Sequence, residues 1–446
     1  MMTFLSLALF AYACLAAVRR PGLCFALCLQ MFAIEIVLQS QVSFLHGSSF
    51  GNQLVNYAIG LTTIAALLKA NLSQERDYAW IQYRTAICVW LLCFWSIITL
   101  LWSLDGEAGW AMVRATWPYM VLGTVLIPGT IRDLHSLSSA FQFTRVVGLI
   151  LCAVILVSPE FITRDGRIGI DLAVSSSARS NPLVIGELGG IQVLLGVLLV
   201  SRKKSWLEFL IRAASVVVGT AVAFKSGSRG QVIFAISFAV IFYPASFRII
   251  NFRAFLSAVI LFAGIGLAAS VIVNTVFSNW ELKRFSLEDM FYGNSSAGSR
   301  LAAVSALALE WGNRPSAWLF GLGLHSFPAL PLGTGDIYSH VVFADVVFEL
   351  GLIGFTLLLV ILHATVTNCA KIIRKAINND ALERSTAGTL VAIVAYEIVL
   401  VNKQGTIWAA FVFWLLLIVT HIVSNRMDDL PSEDCAASDS TTLSSS

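Results

Sequence analysis

Charged residues are scarce in this sequence. They make up 12% of its 446 residues, about half of the roughly 25% that is usual in soluble domains. Hydrophobic residues make up 57%, and the mean hydropathy is +0.81. Because a soluble fold cannot bury so much apolar surface, the composition excludes a soluble protein and predicts an integral membrane protein.

The motifs by which soluble enzymes bind nucleotides or zinc are also missing. The sequence contains no G-x-x-x-x-G-K-[ST], no G-x-G-x-x-G between a strand and a helix, and no H-E-x-x-H. It also lacks D-x-D, the acidic pair with which many sugar-nucleotide transferases hold a metal-bound diphosphate. These absences disfavour a nucleotide-activated donor. The net charge of +3 is explained by loop anchoring and calls for no nucleic-acid partner.

Apolar residues fall into blocks long enough to cross about 30 Å of hydrocarbon as helices. We therefore predict an all-α polytopic protein with about 12 transmembrane helices. The sequence offers thirteen candidate spans, of which one at the N-terminal end is open to being counted in error. The candidate spans are 2–18, 22–39, 54–70, 81–102, 111–128, 141–157, 183–201, 206–224, 231–246, 254–277, 342–366, 387–402 and 406–423.

Basic loops set the expected orientation, because Lys and Arg accumulate in short cytoplasmic loops. The loops at 202–204, 248–253 and 371–384 are then cytoplasmic, and the long segment at about 278–341 lies outside. We expect residues 1–427 to form one transmembrane domain. The acidic, Ser-rich tail at 428–446 is expected to be a disordered cytoplasmic segment.

The outer side nevertheless carries many basic residues, which suits an anionic ligand, and the planar fork of arginine suits phosphate in particular. Contact with lipid headgroups is the alternative for individual positions. The residues are Arg164, Arg167, Arg179, Lys225, Arg229, Lys283, Arg284, Arg300 and Arg314.

Three short features of the outer side carry the candidate chemistry. The six residues 225–230 link two spans, which places Arg229 at the membrane face beside glycines and serines that can form an anion-binding nest. Arg300 opens a predicted amphipathic helix over 300–311. His340 directly precedes a span, where its imidazole can accept a proton from a sugar hydroxyl. His325 and the other histidines show no comparable setting.

These features, in this order, resemble the O-antigen ligase and polymerase superfamily of bacterial envelope polysaccharide enzymes. The resemblance covers about residues 95–420, and one departure is Val341, where family members often carry Asn. The matching segments are Trp102-Ser103-Leu104-Asp105, Arg167 with Asn181-Pro182, Ser226-Gly227-Ser228-Arg229-Gly230, Arg300 with Trp311, Phe320-Gly321-Leu322-Gly323, Ser339-His340-Val341 and Phe348-Glu349-Leu350-Gly351-Leu352-Ile353-Gly354.

The resemblance implies a metal-independent, inverting glycosyltransferase in the bacterial inner membrane, with its site facing the periplasm. Its donor would be a glycan on undecaprenyl diphosphate, held by Arg229 and Arg300. His340 would be the catalytic base, and neither a cofactor nor a metal would be required. Supporting positions are Ser228, Arg167 and Glu349.

Two alternatives remain open at this stage. A polymerase would extend the chain on a lipid-linked repeat unit, with membrane lipids and a chain-length regulator as further partners, whereas a ligase would attach the chain to lipid A-core. A transporter of lipid-linked sugars is less favoured. Its evidence would be the acids Glu35, Glu187 and Glu397 in or near spans, but no inverted repeat is evident.

Overall fold

The computed structural model describes most of the chain. The described residues are 2–42, 45, 49–72, 81, 83–164, 167–170, 181–201, 205–248, 252, 256, 259, 264, 296–330, 339, 341–403 and 406–428. Among them, only the backbone is described for residues 2–3, 49–52, 163–164, 167, 169–170, 229, 296–297 and 299. The predicted tail beyond residue 428 lies outside the described residues, as does nearly all of the candidate span at 254–277.

Within these ranges every regular element except one hairpin is helical, as the sequence predicts. The hairpin pairs β1 (Phe161–Arg164) with β2 (Arg167–Ile170) in antiparallel register. The α-helices are α1 (Met2–Arg19), α2 (Leu23–Leu29), α3 (Met31–Gln41), α4 (Ser49–Leu72), α5 (Arg84–Thr99), α6 (Gly106–Val121), α7 (Leu134–Val157), α8 (Pro182–Leu198), α9 (Trp206–Lys225), α10 (Arg229–Ser246), α11 (Ser296–Asn313), α12 (Pro315–Phe320), α13 (Val342–Ala376), α14 (Ala381–Leu400) and α15 (Phe411–Asp428).

Seven helical stretches in the described chain are long and apolar enough to cross a membrane. Helices α2 and α3 meet at 66° and form an eighth if the bent pair is one broken span. Three further apolar helices, Phe4–Arg19, Pro182–Leu198 and Gly230–Ser246, have 10–17 residues each. The length and composition of these helices are those of a membrane protein. The count of about 12 spans stays a prediction. The seven stretches are Gln53–Leu72, Arg84–Trp102, Leu134–Val157, Trp206–Lys225, Val342–Ala376, Ala381–Lys403 and Phe411–Asp428.

The centre of the bundle consists of α8, α14 and α15. Most residues of these helices are buried, because other helices surround them. Most of α8 is buried where it packs against α9, α10 and α14. In α14 and α15 the large side chains Tyr396 and Trp414 are fully buried. These helices form the buried centre against which the neighbouring helices pack.

Helix α13 is not the continuous span that the sequence predicts, because it breaks at Gly351. The backbone there has φ 67° and ψ −167°, a conformation that glycine adopts without strain. A break leaves backbone carbonyls without helical partners, and these need other donors. The amides of Leu322 and Gly323 donate to the carbonyls of Phe348 and Glu349, at 2.9 Å each. The break therefore fastens the 321–327 turn to the first segment of α13.

The bundle has two distinguishable ends. At one end, which we call the site end, α10 and α13 begin and α14 finishes. The side-chain oxygen of Asn402 accepts a hydrogen bond there from the amide of Phe343, at 3.1 Å. At the opposite end, where α13 and α15 finish, Lys375 pairs with Asp428. Ion pairs and caps thus fix which helix termini share an end.

Candidate functional site

Arg300 reaches the site end from α11. The predicted helix over 300–311 is present as Ser296–Asn313, and Arg300 lies half-buried on it. Its guanidinium Nη2 donates to the backbone carbonyl of Lys403, at 3.3 Å. This contact joins two segments that are 103 residues apart in sequence, so it places Arg300 against the turn that follows α14.

Lys403 connects this arginine to the start of α10. Its ammonium Nζ lies directly against Gly230, so that a methyl group at that position would overlap it. The same Nζ is 5.5 Å from the centroid of the Phe234 ring, a cation–π distance. The N-terminal turn of α10, which begins with Arg229, and the guanidinium of Arg300 therefore meet at one residue. The side chain of Arg229 lies outside the described atoms.

The beginning of α13 joins the same turn. Asn402, the neighbour of Lys403, accepts from the amide of Phe343 in the first turn of α13. The amide of Val341 donates to Ser339 Oγ, at 3.0 Å. His340, between these two residues, lies outside the described residues, and its role stays a prediction.

The electrostatics of the site end follow from this assembly. The N-termini of α10 and α13 each present a partial positive charge of about half an elementary charge. Arg300 and Lys403 add two cationic side chains that lie close enough for their charges to repel each other. Ser228 is the N-cap of α10, and its side chain makes no capping bond within the described chain. Two helix termini and two cations therefore favour an anion at this place.

Two carboxylates lie beneath the site end on the first segment of α13. Asp345 and Glu349 are both buried, and both line one small cavity. The hydroxyl of Ser339 donates to Asp345. Glu349 accepts from the backbone amides of His325, at 2.9 Å, and Phe327, at 3.1 Å. Glu349 thus holds the 321–327 turn in place.

His325 has a buried setting beside two carboxylates that the sequence interpretation did not predict. It lines the cavity with both carboxylates. Its backbone has φ 63°, which is uncommon for a residue other than glycine. Burial lowers the pKa of its imidazole, against the opposing effect of Asp105. The glycines at 321 and 323 indicated a turn, but no local pattern in the sequence indicated that His325 would be buried.

Two other predicted outer cations contact different groups in the described structure. Arg314 donates to Glu310 at 2.7 Å, one turn earlier in the chain. Lys225 Nζ donates to the carbonyl of Ile155, at 3.3 Å. Arg167 begins β2 opposite Arg164, and its side chain is not described. Among the predicted cations whose side chains are described, Arg300 is thus the one placed against Lys403.

Comparisons with known proteins give no family assignment. No protein-family model matches the sequence, and no curated protein matches it. A chain from a solved structure, whose subject is the structural coordination of polymerization and crosslinking by a peptidoglycan synthase complex, is similar at 14% identity and a TM-score of 0.46. The likeness covers 80% of this chain and 99% of that chain. At this identity and TM-score it assigns neither a fold family nor an activity.

Proposed function

We propose that this protein is a membrane glycosyltransferase that moves a glycan from an undecaprenyl-diphosphate-linked donor to a sugar hydroxyl. The observation that carries the proposal is the meeting of Arg300 with the N-terminal turn of α10 at Lys403. A diphosphate headgroup is polyanionic and lies at a membrane face. A half-buried cluster of cations at the end of a helical bundle fits that chemistry.

In the proposed reaction, the acceptor oxygen attacks the anomeric carbon of the donor. The new glycosidic bond forms as the bond to the diphosphate oxygen breaks, with inversion at that carbon. His340 takes the acceptor proton, and undecaprenyl diphosphate leaves with the electron pair. Arg229 and Arg300 stabilise the negative charge that develops on the leaving group.

We place this site on the periplasmic face of the bacterial inner membrane, as an O-antigen or exopolysaccharide polymerase. Its acceptor would be a lipid-linked repeat unit, and a chain-length regulator would be a partner. An O-antigen ligase acting on lipid A-core uses the same donor chemistry, so the described cation cluster favours neither activity over the other.

A lipid-linked sugar transporter is less well supported. Its sequence evidence was acids within spans, but Glu35 accepts hydrogen bonds from Gln39, at 3.0 Å, and from Asn56, at 2.7 Å. Amide partners on both carboxylate oxygens are what a structural buried acid requires. This acid is therefore accounted for without transport.

Deletion of the gene followed by gel separation of surface polysaccharide tests the proposal and separates its two forms. A lost polymerase leaves single repeat units on the core. A lost ligase leaves long chains unattached to the core. Unchanged surface polysaccharide would contradict both forms.

A further inference from the structure

We propose that Lys403 is a third cationic ligand of the lipid diphosphate and that it makes the site selective for a diphosphate over a monophosphate. The inference rests on the proposed function and deepens it. The sequence pattern and the family resemblance single out Arg229, Arg300 and His340, and neither points to Lys403. Only the folded chain brings this lysine to the site end.

The position of Lys403 is fixed by the backbone around it. Its own carbonyl is held by Arg300 at 3.3 Å, and the preceding Asn402 is held by α13 through Phe343 at 3.1 Å. The short 3-10 turn Val401–Lys403 follows directly on the buried helix α14. The backbone that carries the ammonium is therefore held by two contacts, and a group positioned in advance loses less freedom when a ligand binds.

The hydrogen-bonding needs of the ammonium are not met by the described residues. An ammonium has three N–H donors. The described contacts of Lys403 Nζ are the Phe234 ring and the backbone at Gly230, neither of which supplies a carboxylate. Within the part of the chain that is described, no ion pair to Lys403 is present. An anion seated beside it would accept from these donors.

Arg300, the cation next to Lys403, also carries a positive charge, and this strengthens the case for an anion between them. Arg300 lies close enough for its charge to act against that of Lys403. Two like charges in a half-buried place repel each other, and an anion that contacts both removes this repulsion. A diphosphate ester has two phosphoryl groups and can contact separate cations at once, whereas a monophosphate has one. Loss of Lys403 should therefore weaken diphosphate binding more than monophosphate binding.

The test uses purified full-length protein in detergent, with farnesyl diphosphate and farnesyl monophosphate as probes of binding. Lys403→Gln should weaken farnesyl diphosphate binding about 10- to 100-fold, the loss expected for a charge-assisted hydrogen bond. Farnesyl monophosphate should be affected less, and Lys403→Arg should retain most of the affinity. Lys371→Gln is the matched control, because Lys371 is exposed near the opposite end of α13.

Equal affinity of the Lys403→Gln and Lys371→Gln proteins for farnesyl diphosphate would overturn the inference. If Lys403→Gln fails to fold, acetylation of wild-type lysines followed by mass spectrometry gives the answer. Farnesyl diphosphate should protect Lys403 and farnesol should not, and equal labelling with both would overturn the inference.

The binding assay also separates this inference from the proposed function. Diphosphate binding that depends on Lys403, in a protein that transfers no glycan, would keep the ligand assignment and reject the transferase. Glycan transfer with an unchanged donor KM in Lys403→Gln would keep the transferase and reject the role of Lys403.

Discussion

The cations at the two ends of the bundle have different kinds of partner. At the opposite end, the buried Arg145 is held by both carboxylate oxygens of Glu208, at 2.6 and 2.8 Å. At the site end, Arg300 donates to a backbone carbonyl and Lys403 lies on an aromatic ring. A bidentate pair completes the charge balance of Arg145 within the protein, whereas the aromatic contact leaves the ammonium of Lys403 without a carboxylate partner among the described residues. The first arrangement serves stability, and the second suits a ligand.

The largest expected effect concerns His340. His340→Ala should lower turnover about 10²- to 10⁴-fold, because the acceptor hydroxyl would lose its base. Donor binding and membrane insertion should stay largely intact. His363→Ala, an exposed position farther along α13, is the control for both. Lost donor binding at unchanged saturated turnover would instead make His340 a diphosphate ligand.

Substitution of Arg300 should lower activity nearly as much, even when the replacement is the conservative lysine. Arg300→Lys keeps the charge but loses the planar pair of donors, so kcat should fall about 10²- to 10³-fold, close to the loss in Arg300→Ala. Arg314→Lys, directly after α11, should have little effect, since Arg314 is exposed and paired with Glu310. Wild-type kinetics in Arg300→Lys would show that bidentate contact is not what the site uses.

At the opposite end the expected effect is on stability rather than activity. Glu208→Gln leaves the Arg145 charge buried without its carboxylate and should lower the free energy of unfolding by about 3 kcal/mol. Glu310→Gln removes a partly exposed pair and should cost less than about 1 kcal/mol. Unfolding in detergent measures both. If the two variants were equally stable, Arg145 and Glu208 would not form the buried pair described here.

The smallest expected effect concerns the pH dependence of stability at His325. Because the folded-state pKa of this imidazole is lowered by burial, the unfolded chain binds the proton more readily. Its contribution to stability is present above about pH 6.5 and is lost as the pH falls below that value. His325→Asn keeps a residue tolerant of positive φ. Its Tm should fall less than that of wild type between pH 7 and pH 5.5, and equal slopes would contradict the burial effect.

The sequence predicted the helical class, the helix that carries Arg300, the glycine turn at 321–323 and the start of α13 at Val342. Each of these leaves a local mark, such as an apolar block, a glycine pair or a polar boundary. The break at Gly351 was missed, because a single glycine in an apolar run also fits a continuous span.

Lys403 was missed for a different reason. It lies at the end of an apolar block, where a charged residue is usual at the boundary of a membrane span. Its neighbours Arg300 and Gly230 are more than a hundred residues away in sequence. Proximity of that kind comes from helix packing and has no local signal. His325 is similar, because its burial depends on the carboxylates of α13.

The most direct test of the central claim is glycan transfer by the purified protein from a radiolabelled repeat unit on undecaprenyl diphosphate, in excess EDTA. We expect release of undecaprenyl diphosphate together with an extended lipid-linked glycan, and loss of both products in His340→Ala and Arg300→Lys. Release of no undecaprenyl diphosphate by the wild-type protein with donor and acceptor both present, or activity that EDTA abolishes and metal restores, would contradict the account.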